Sequence, residues 1–252
     1  MLTTSSLTFG LKASDVLADE PAFSKPAGRL SDDLHLPAEW RASLVAFIAD
    51  TLPAWRDDPL RPAATAETVL TAQLCALLNS ASRKSRGWDY LQFRMEEPDE
   101  VVRGRAIDLV AAPSGQLIWI DGRRYSQYEP LLPVECKRLP TPSGRERDER
   151  EYLHSRHGSR GGVQRFKAGD HGAAHTHAAI IAYLQSDDIP AWHARVAQWI
   201  IDLSAETTNW TGDDGLTLNT HDSDRGMARL SSSHARDRGL ADIALDHIWI
   251  RV

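Results

Sequence analysis

A chain of 252 residues with 42% hydrophobic and 25% charged residues has the composition of a soluble globular protein, and it is long enough to bury a sizeable core in one large domain or two small ones. A formal charge of −6 excludes a protein that coats nucleic acid indiscriminately, and no apolar run approaches the ~20 residues that span a bilayer. The first residues lack the basic-then-apolar order of a signal peptide, and Cys75 and Cys136 form no Cys-x-x-Cys; a cytoplasmic protein without a disulfide framework or a cysteine zinc site is expected.

Residues 1–37 carry weak periodicity and several turn formers, and read as an N-terminal extension without chemistry. From Ala38 to Leu52, Trp40, Leu44, Val45, Phe47 and Ile48 fall at helical spacing, with Pro53 expected to end the helix. A second helix is predicted over Thr65–Ser82, with Leu70, Leu74, Leu77, Leu78 and Ala81 in one stripe and Thr65 as N-cap. Alternation then predicts a hairpin, with strands Trp88–Met95 and Val101–Ala112 joined by a turn at residues 96–100. Strands Gln116–Ile120 and Leu131–Leu139 follow, separated by a loop over Tyr125–Pro130. Residues 140–162 read as a charged, mobile loop with a short helix at Glu146–Leu153. A glycine-flanked helix over Gly161–Gly169 precedes Thr176–Leu184, whose nearly continuous apolar run suits a strand buried on both faces. Ile189–Glu206 is the strongest helix, with Trp192, Val196, Trp199, Ile200 and Leu203 on one face, and strands at Met227–Arg236 and Ala244–Val252 close the chain. Strands framed by helices imply a single α/β domain over residues 1–252, a mixed sheet flanked by helices, with residues 65–185 as its core region.

Two features carry chemistry. In the strand Leu131–Leu139, alternation puts Glu135 and Lys137 on one face and Cys136 on the other, either as an ion pair on a solvated face or as part of a metal-dependent phosphodiesterase site. Upstream, Ala106-Ile-Asp108-Leu-Val sets one acid in an apolar run, a costly placement unless Asp108 is paired, hydrogen-bonded or coordinated. Two carboxylates on adjacent strands suit Mg²⁺ (or Mn²⁺), a hard ion that prefers oxygen ligands and keeps waters that a phosphate displaces. Lys137 would then orient or help deprotonate an attacking water and stabilise charge on the phosphate. Between Lys137 and Lys167, nine Lys/Arg face four Asp/Glu, a local excess that suits phosphate attraction.

The order of acid at a helix start (Glu67), hairpin with Asp108, Glu135-Cys136-Lys137, helix and buried strand resembles the PD-(D/E)xK, restriction-endonuclease-like nuclease superfamily. It does so over roughly Thr65–Leu184, with Ile107 in place of the motif's proline. The glycine-flanked Val163-Gln-Arg-Phe and the following strand also resemble a branch of small prokaryotic nucleases associated with restriction or anti-phage defence. The resemblance implies a restriction-endonuclease-like core and a metal held by Asp108, Glu135, the Cys136 carbonyl and Glu67. It also implies hydrolysis of a phosphodiester, most readily in DNA, to a 5′-phosphate and a 3′-hydroxyl. A homodimer or a partner protein of a defence system would supply target choice, since no separate reading module is present.

Several residues keep two readings. Glu67 also suits the first turn of its helix as a cap. Gln164 and Arg165 either approach substrate phosphate or lie on a solvated helix face. Ser232, His234 and Arg236 alternate, as a phosphate-contacting or site-supporting row or as part of an exposed edge strand. His154, His157, His171, His175 and His177 crowd into one region, but their spacing fits no familiar zinc motif. At the level of function, a nuclease-fold binding or scaffolding subunit that does not cut, or an RNA-directed effector, stands as the alternative to a DNA nuclease.

Overall fold

Ten strands and four helices make up the computed structural model, which describes residues 33–158 and 160–252; of the predicted N-terminal extension, residues 1–32 lie outside the described residues. In chain order the elements are β1 (Leu34–Leu36), α1 (Trp40–Arg56), α2 (Glu67–Lys84), β2 (Leu91–Pro98), β3 (Ala106–Pro113), β4 (Ile118–Ile120), β5 (Arg123–Tyr125) and β6 (Leu132–Leu139). Then come α3 (Gly162–Lys167), β7 (His177–Leu184), α4 (Ile189–Glu206), β8 (Thr217–Asp222), β9 (Met227–His234) and β10 (Ile243–Arg251).

Seven strands form one mixed sheet in the order β2-β3-β6-β7-β10-β9-β8. Its centre, β6-β7-β10, is parallel, and both flanks are antiparallel. The expectation of a mixed sheet flanked by helices holds. β7 shows why its sequence is apolar throughout: Ala179, Ile181 and Tyr183 join one core with Leu44 and Ile48 of α1 and Leu70 and Leu74 of α2, while Ala178, Ile180 and Ala182 join a second core with Phe166 of α3 and Val196 and Ile200 of α4. Among the described residues, no helix is long and apolar enough to cross a membrane.

Several boundaries differ from expectation for local reasons. α1 runs through Pro53 because Leu52 and Trp55 are both buried, and the amide of Asp57 returns to the Pro53 carbonyl. α2 starts two residues after Thr65 and has no side-chain cap; the Thr65 carbonyl instead accepts from Arg138 and Gln185. β2 extends through the expected turn to Pro98, with Arg94 and Glu97 ion-paired along it, while the connection is made after Asp99, whose carboxylate accepts from the amides of Val101 and Val102. β5 was not expected. Asp121-Gly122, with φ of 52° and 75°, makes the tight hairpin that joins it to β4, and β1 pairs parallel to β4 to complete a separate three-stranded sheet.

Residues 140–158 form no helix at Glu146–Leu153; they are a turn-rich segment pinned by ionic contacts rather than a loose loop. Buried Asp148 accepts from the amides of Arg150 and Arg156, Arg150 grips Glu206 with two bonds, and Tyr152 and Leu153 are fully buried. The unexpected β8, exposed at every position, is the true edge, so β9 lies inside the sheet.

Candidate active site

Strand β6 leaves β3 early. The two pair only from Leu132 to Val134, whereas parallel pairing of β6 with β7 continues from Val134 to Leu139. The β6 amides that β3 no longer covers are met by carboxylates, since an unpaired buried N–H is costly. Asp108 Oδ2 accepts from the Cys136 amide at 2.8 Å, and Glu67 Oε2 accepts from the Arg138 amide at 2.9 Å. The fork between the strands thus draws Asp108, Glu135, Lys137 and Glu67 together. Glu67 serves the fork from the first turn of α2 rather than capping its own helix.

Lys137 sits at the middle. Its Nζ lies 2.6 Å from Glu135 Oε1, 3.7 Å from Glu67 Oε1 and 3.9 Å from Asp108 Oδ2, and 3.2 Å from the Cys136 carbonyl oxygen. Glu135 is the floor, with no exposed surface, while Asp108 and Glu67 keep 29% and 28% of their side chains accessible. Anything entering from solvent therefore meets Asp108 and Glu67 first.

The charges are strongly coupled. Burial alone would raise the Glu135 carboxyl, but Lys137, His171 and Arg165 outweigh it and hold the group ionised well below the usual range. Burial would likewise lower Lys137, yet Glu135, Glu67 and Asp108 overcome that and keep the ammonium firmly charged. Asp108 goes the other way: burial, then repulsion from Glu135, push it up to about 7, against the pull of Lys137 and the Cys136 amide. Negative charge at the mouth is thus undercompensated, and a cation would relieve it.

Helix α3 closes the site. Its Arg165 guanidinium bonds Glu135 Oε1, and His171, just beyond the helix, places Nδ1 at 3.1 Å from Glu135 Oε2. His171 was expected only as one of a histidine group; those histidines disperse, with His175 on Glu100 and His177 on Asp246. Only the fold brings His171 to Glu135. The Gln164 carboxamide oxygen accepts from the amides of Ser155 and Gly161, so it fastens the start of α3. Ser232 and His234 bond to one another and to other buried groups rather than to the acidic cluster, and Arg236 binds the carbonyls of Gly172, His175 and Ala241, bracing the segment that carries His171. The basic run is engaged with acids over much of its length. Within it Arg147, Arg150, Arg156, Arg160, Arg165 and Lys167 are all ion-paired.

Two glycines allow α3 to approach. A Cβ on Gly161 would lie 2.4 Å from His154 Cα and 2.6 Å from the Leu153 carbonyl oxygen, and one on Gly162 would press on the Tyr152 carbonyl and the Lys137 stem. Gly161→Ala is therefore expected to destabilise the protein by roughly 1–3 kcal/mol, the range for overpacking against backbone. Gly212→Ala, where a Cβ meets nothing within 4 Å, serves as the control. Urea unfolding midpoints of the two variants check this, and equal midpoints would refute it.

The donor set at the fork is all oxygen, which fits Mg²⁺ or Mn²⁺, while the Cys136 thiol is turned to the opposite face and held protonated by burial. Among the described residues, no group of three or more His, Cys, Asp or Glu side chains is placed to hold a metal ion. The chain matches no family model, no curated protein and no solved structure.

Proposed function

We propose that the chain is a metal-dependent nuclease that hydrolyses phosphodiester bonds, most readily in DNA, and that it belongs to a prokaryotic restriction or anti-phage defence system. The observation that carries this reading is the convergence of Asp108, Glu135, Glu67 and Lys137 at the β3–β6 fork, in a chain order of α2-β2-β3-β4-β5-β6-α3-β7.

Asp108 and Glu67 at the mouth, Glu135 at the floor and the Cys136 carbonyl would hold the ion. When bound, it supplies charge neutralisation at the phosphate and a more acidic water. The protein's own part is positional and electrostatic. Lys137, kept protonated by three carboxylates, acts as a fixed positive charge and hydrogen-bond donor rather than as a proton acceptor. Arg165 and His171 hold Glu135 in one orientation, as supporting groups do for a liganding carboxylate.

The test incubates the full chain with supercoiled, linear and single-stranded DNA and with RNA, in Mg²⁺ or Mn²⁺, beside Asp108→Ala and Lys137→Ala. Cleavage lost in both variants supports the reading, and cleavage that survives both overturns the site. One observation favours a second reading. Both Glu135 oxygens are already engaged by protein groups, which suits a nuclease fold that binds nucleic acid without cutting. Retained binding with no cleavage of any substrate would decide for it.

A further inference from the structure

A second buried polar network lies apart from the acidic fork, and its proton directions are fixed by chemistry. Trp249 Nε1 can only donate, and it does so to the Tyr152 hydroxyl at 2.8 Å. The tyrosine proton then goes to His247 Nδ1 at 2.6 Å, which places the proton of this neutral imidazole on Nε2. His247 Nε2 donates to Ser232 Oγ at 2.8 Å, so the serine hydroxyl directs its own proton to His234 Nε2 at 2.7 Å. His234 consequently carries its proton on Nδ1 and donates it to Asp214 Oδ1 at 2.6 Å. The opposite sense would leave a bare imidazole nitrogen facing a carboxylate.

Asp214 is well held in its ionised form: Lys167 also binds Oδ1, and the Thr211 amide donates to Oδ2 at 2.8 Å. Burial lowers both imidazoles, His247 to about 3, so both are neutral at neutral pH and His234 is free to accept a proton. A hydroxyl donating to a neutral imidazole, which is oriented in turn by a buried carboxylate, is the arrangement that activates a serine. Ser232 keeps partial access to solvent.

We propose that Ser232 is a base-activated nucleophile that takes an acyl group from activated esters. A bond forms between Ser232 Oγ and the acyl carbon, and the ester bond to the alcohol breaks. The hydroxyl proton passes to His234 Nε2 and from there to the departing alkoxide, while His234 Nδ1–H stays on Asp214. This activity goes beyond the nuclease reading and does not depend on it.

The test treats the full chain with p-nitrophenyl acetate and maps acetylated serines by mass spectrometry. Ser231 and Ser233 flank the nucleophile on the opposite face of β9 and act as internal comparators needing no variant. Ser232 is expected to acylate about 100-fold faster than either, the scale of a positioned general base. His234→Ala is expected to remove that advantage, and Asp108→Ala to leave it intact. Equal labelling of the three serines, labelling indifferent to His234, or labelling that needs Asp108 would each overturn the proposal.

Discussion

Lys137→Met is expected to destabilise the fold by roughly 3 kcal/mol and, on the proposed nuclease reading, to lower metal-dependent cleavage by about 10²–10³-fold, as for loss of one preorganised electrostatic group. The stability cost arises because Lys137 is the shared counter-charge of three carboxylates, one of them fully buried. Glu135 retains Arg165 and His171, which places the cost at the lower end of the range for breaking a buried pair. Asp108 and Glu67 retain only backbone amides, so their repulsion is released toward solvent.

The double variant Glu135→Gln/Lys137→Met separates structure from catalysis. Removing both charges takes away the uncompensated buried carboxylate, so it should recover about 1–3 kcal/mol over Lys137→Met alone, the size expected for directly coupled neighbours. Cleavage should not recover, because both the fixed charge and a carboxylate of the site are gone. Urea unfolding and plasmid nicking on the same preparations read the two effects. A Lys137→Met protein as stable as wild type would mean that the ammonium is not the counter-charge described here.

The residues that were legible in the sequence are those whose side-chain direction follows from local period. Alternation put Glu135 and Lys137 on one face of β6, and burial of Asp108 among aliphatics was read from its immediate neighbours. Helical spacing fixed Ile189–Glu206 residue for residue. What stayed hidden depends on contacts between distant segments. Nothing near His171 signals Glu135; only the parallel pairing of β6 with β7 and the turn after α3 bring it there. Gln164 looked available on a polar helix face, but the orphan amides at Gly161 and Ser155 claim it. β8 has no apolar alternation, since both of its faces are exposed, and β9 therefore read as an edge. The Ser232–His234 row was visible as two polar residues on one strand face, while its partners Asp214, His247 and Tyr152 come from three other segments.

That buried row contributes acid lability between about pH 6.5 and 3. His247 has its pKa depressed to about 3 by burial and by the neighbouring His234, against about 6.5 in the unfolded chain. A base with a depressed folded pKa contributes no penalty above its unfolded value. Below about pH 6.5 the unfolded state takes up a proton that the folded state refuses, and stability falls by about 1.4 kcal/mol per pH unit until pH approaches 3. By pH 4.5 the expected loss is on the order of 3 kcal/mol from this group alone, with His234 adding in the same direction. Asp214, lowered to about 2, acts later: its contribution is intact above about pH 4 and disappears between there and pH 2. Asp108, raised to about 7, acts in the opposite sense between about pH 7 and 4, because the folded state takes up a proton there that the unfolded chain refuses. The His247 contribution is therefore read as a difference between proteins in urea unfolding at pH 7.5, 6 and 4.5. His247→Asn cannot titrate, so whatever its absolute stability, its decline from pH 6.5 to 4.5 should be shallower by most of that amount. A slope unchanged by the substitution would show that His247 is not buried neutral between Tyr152 and Ser232.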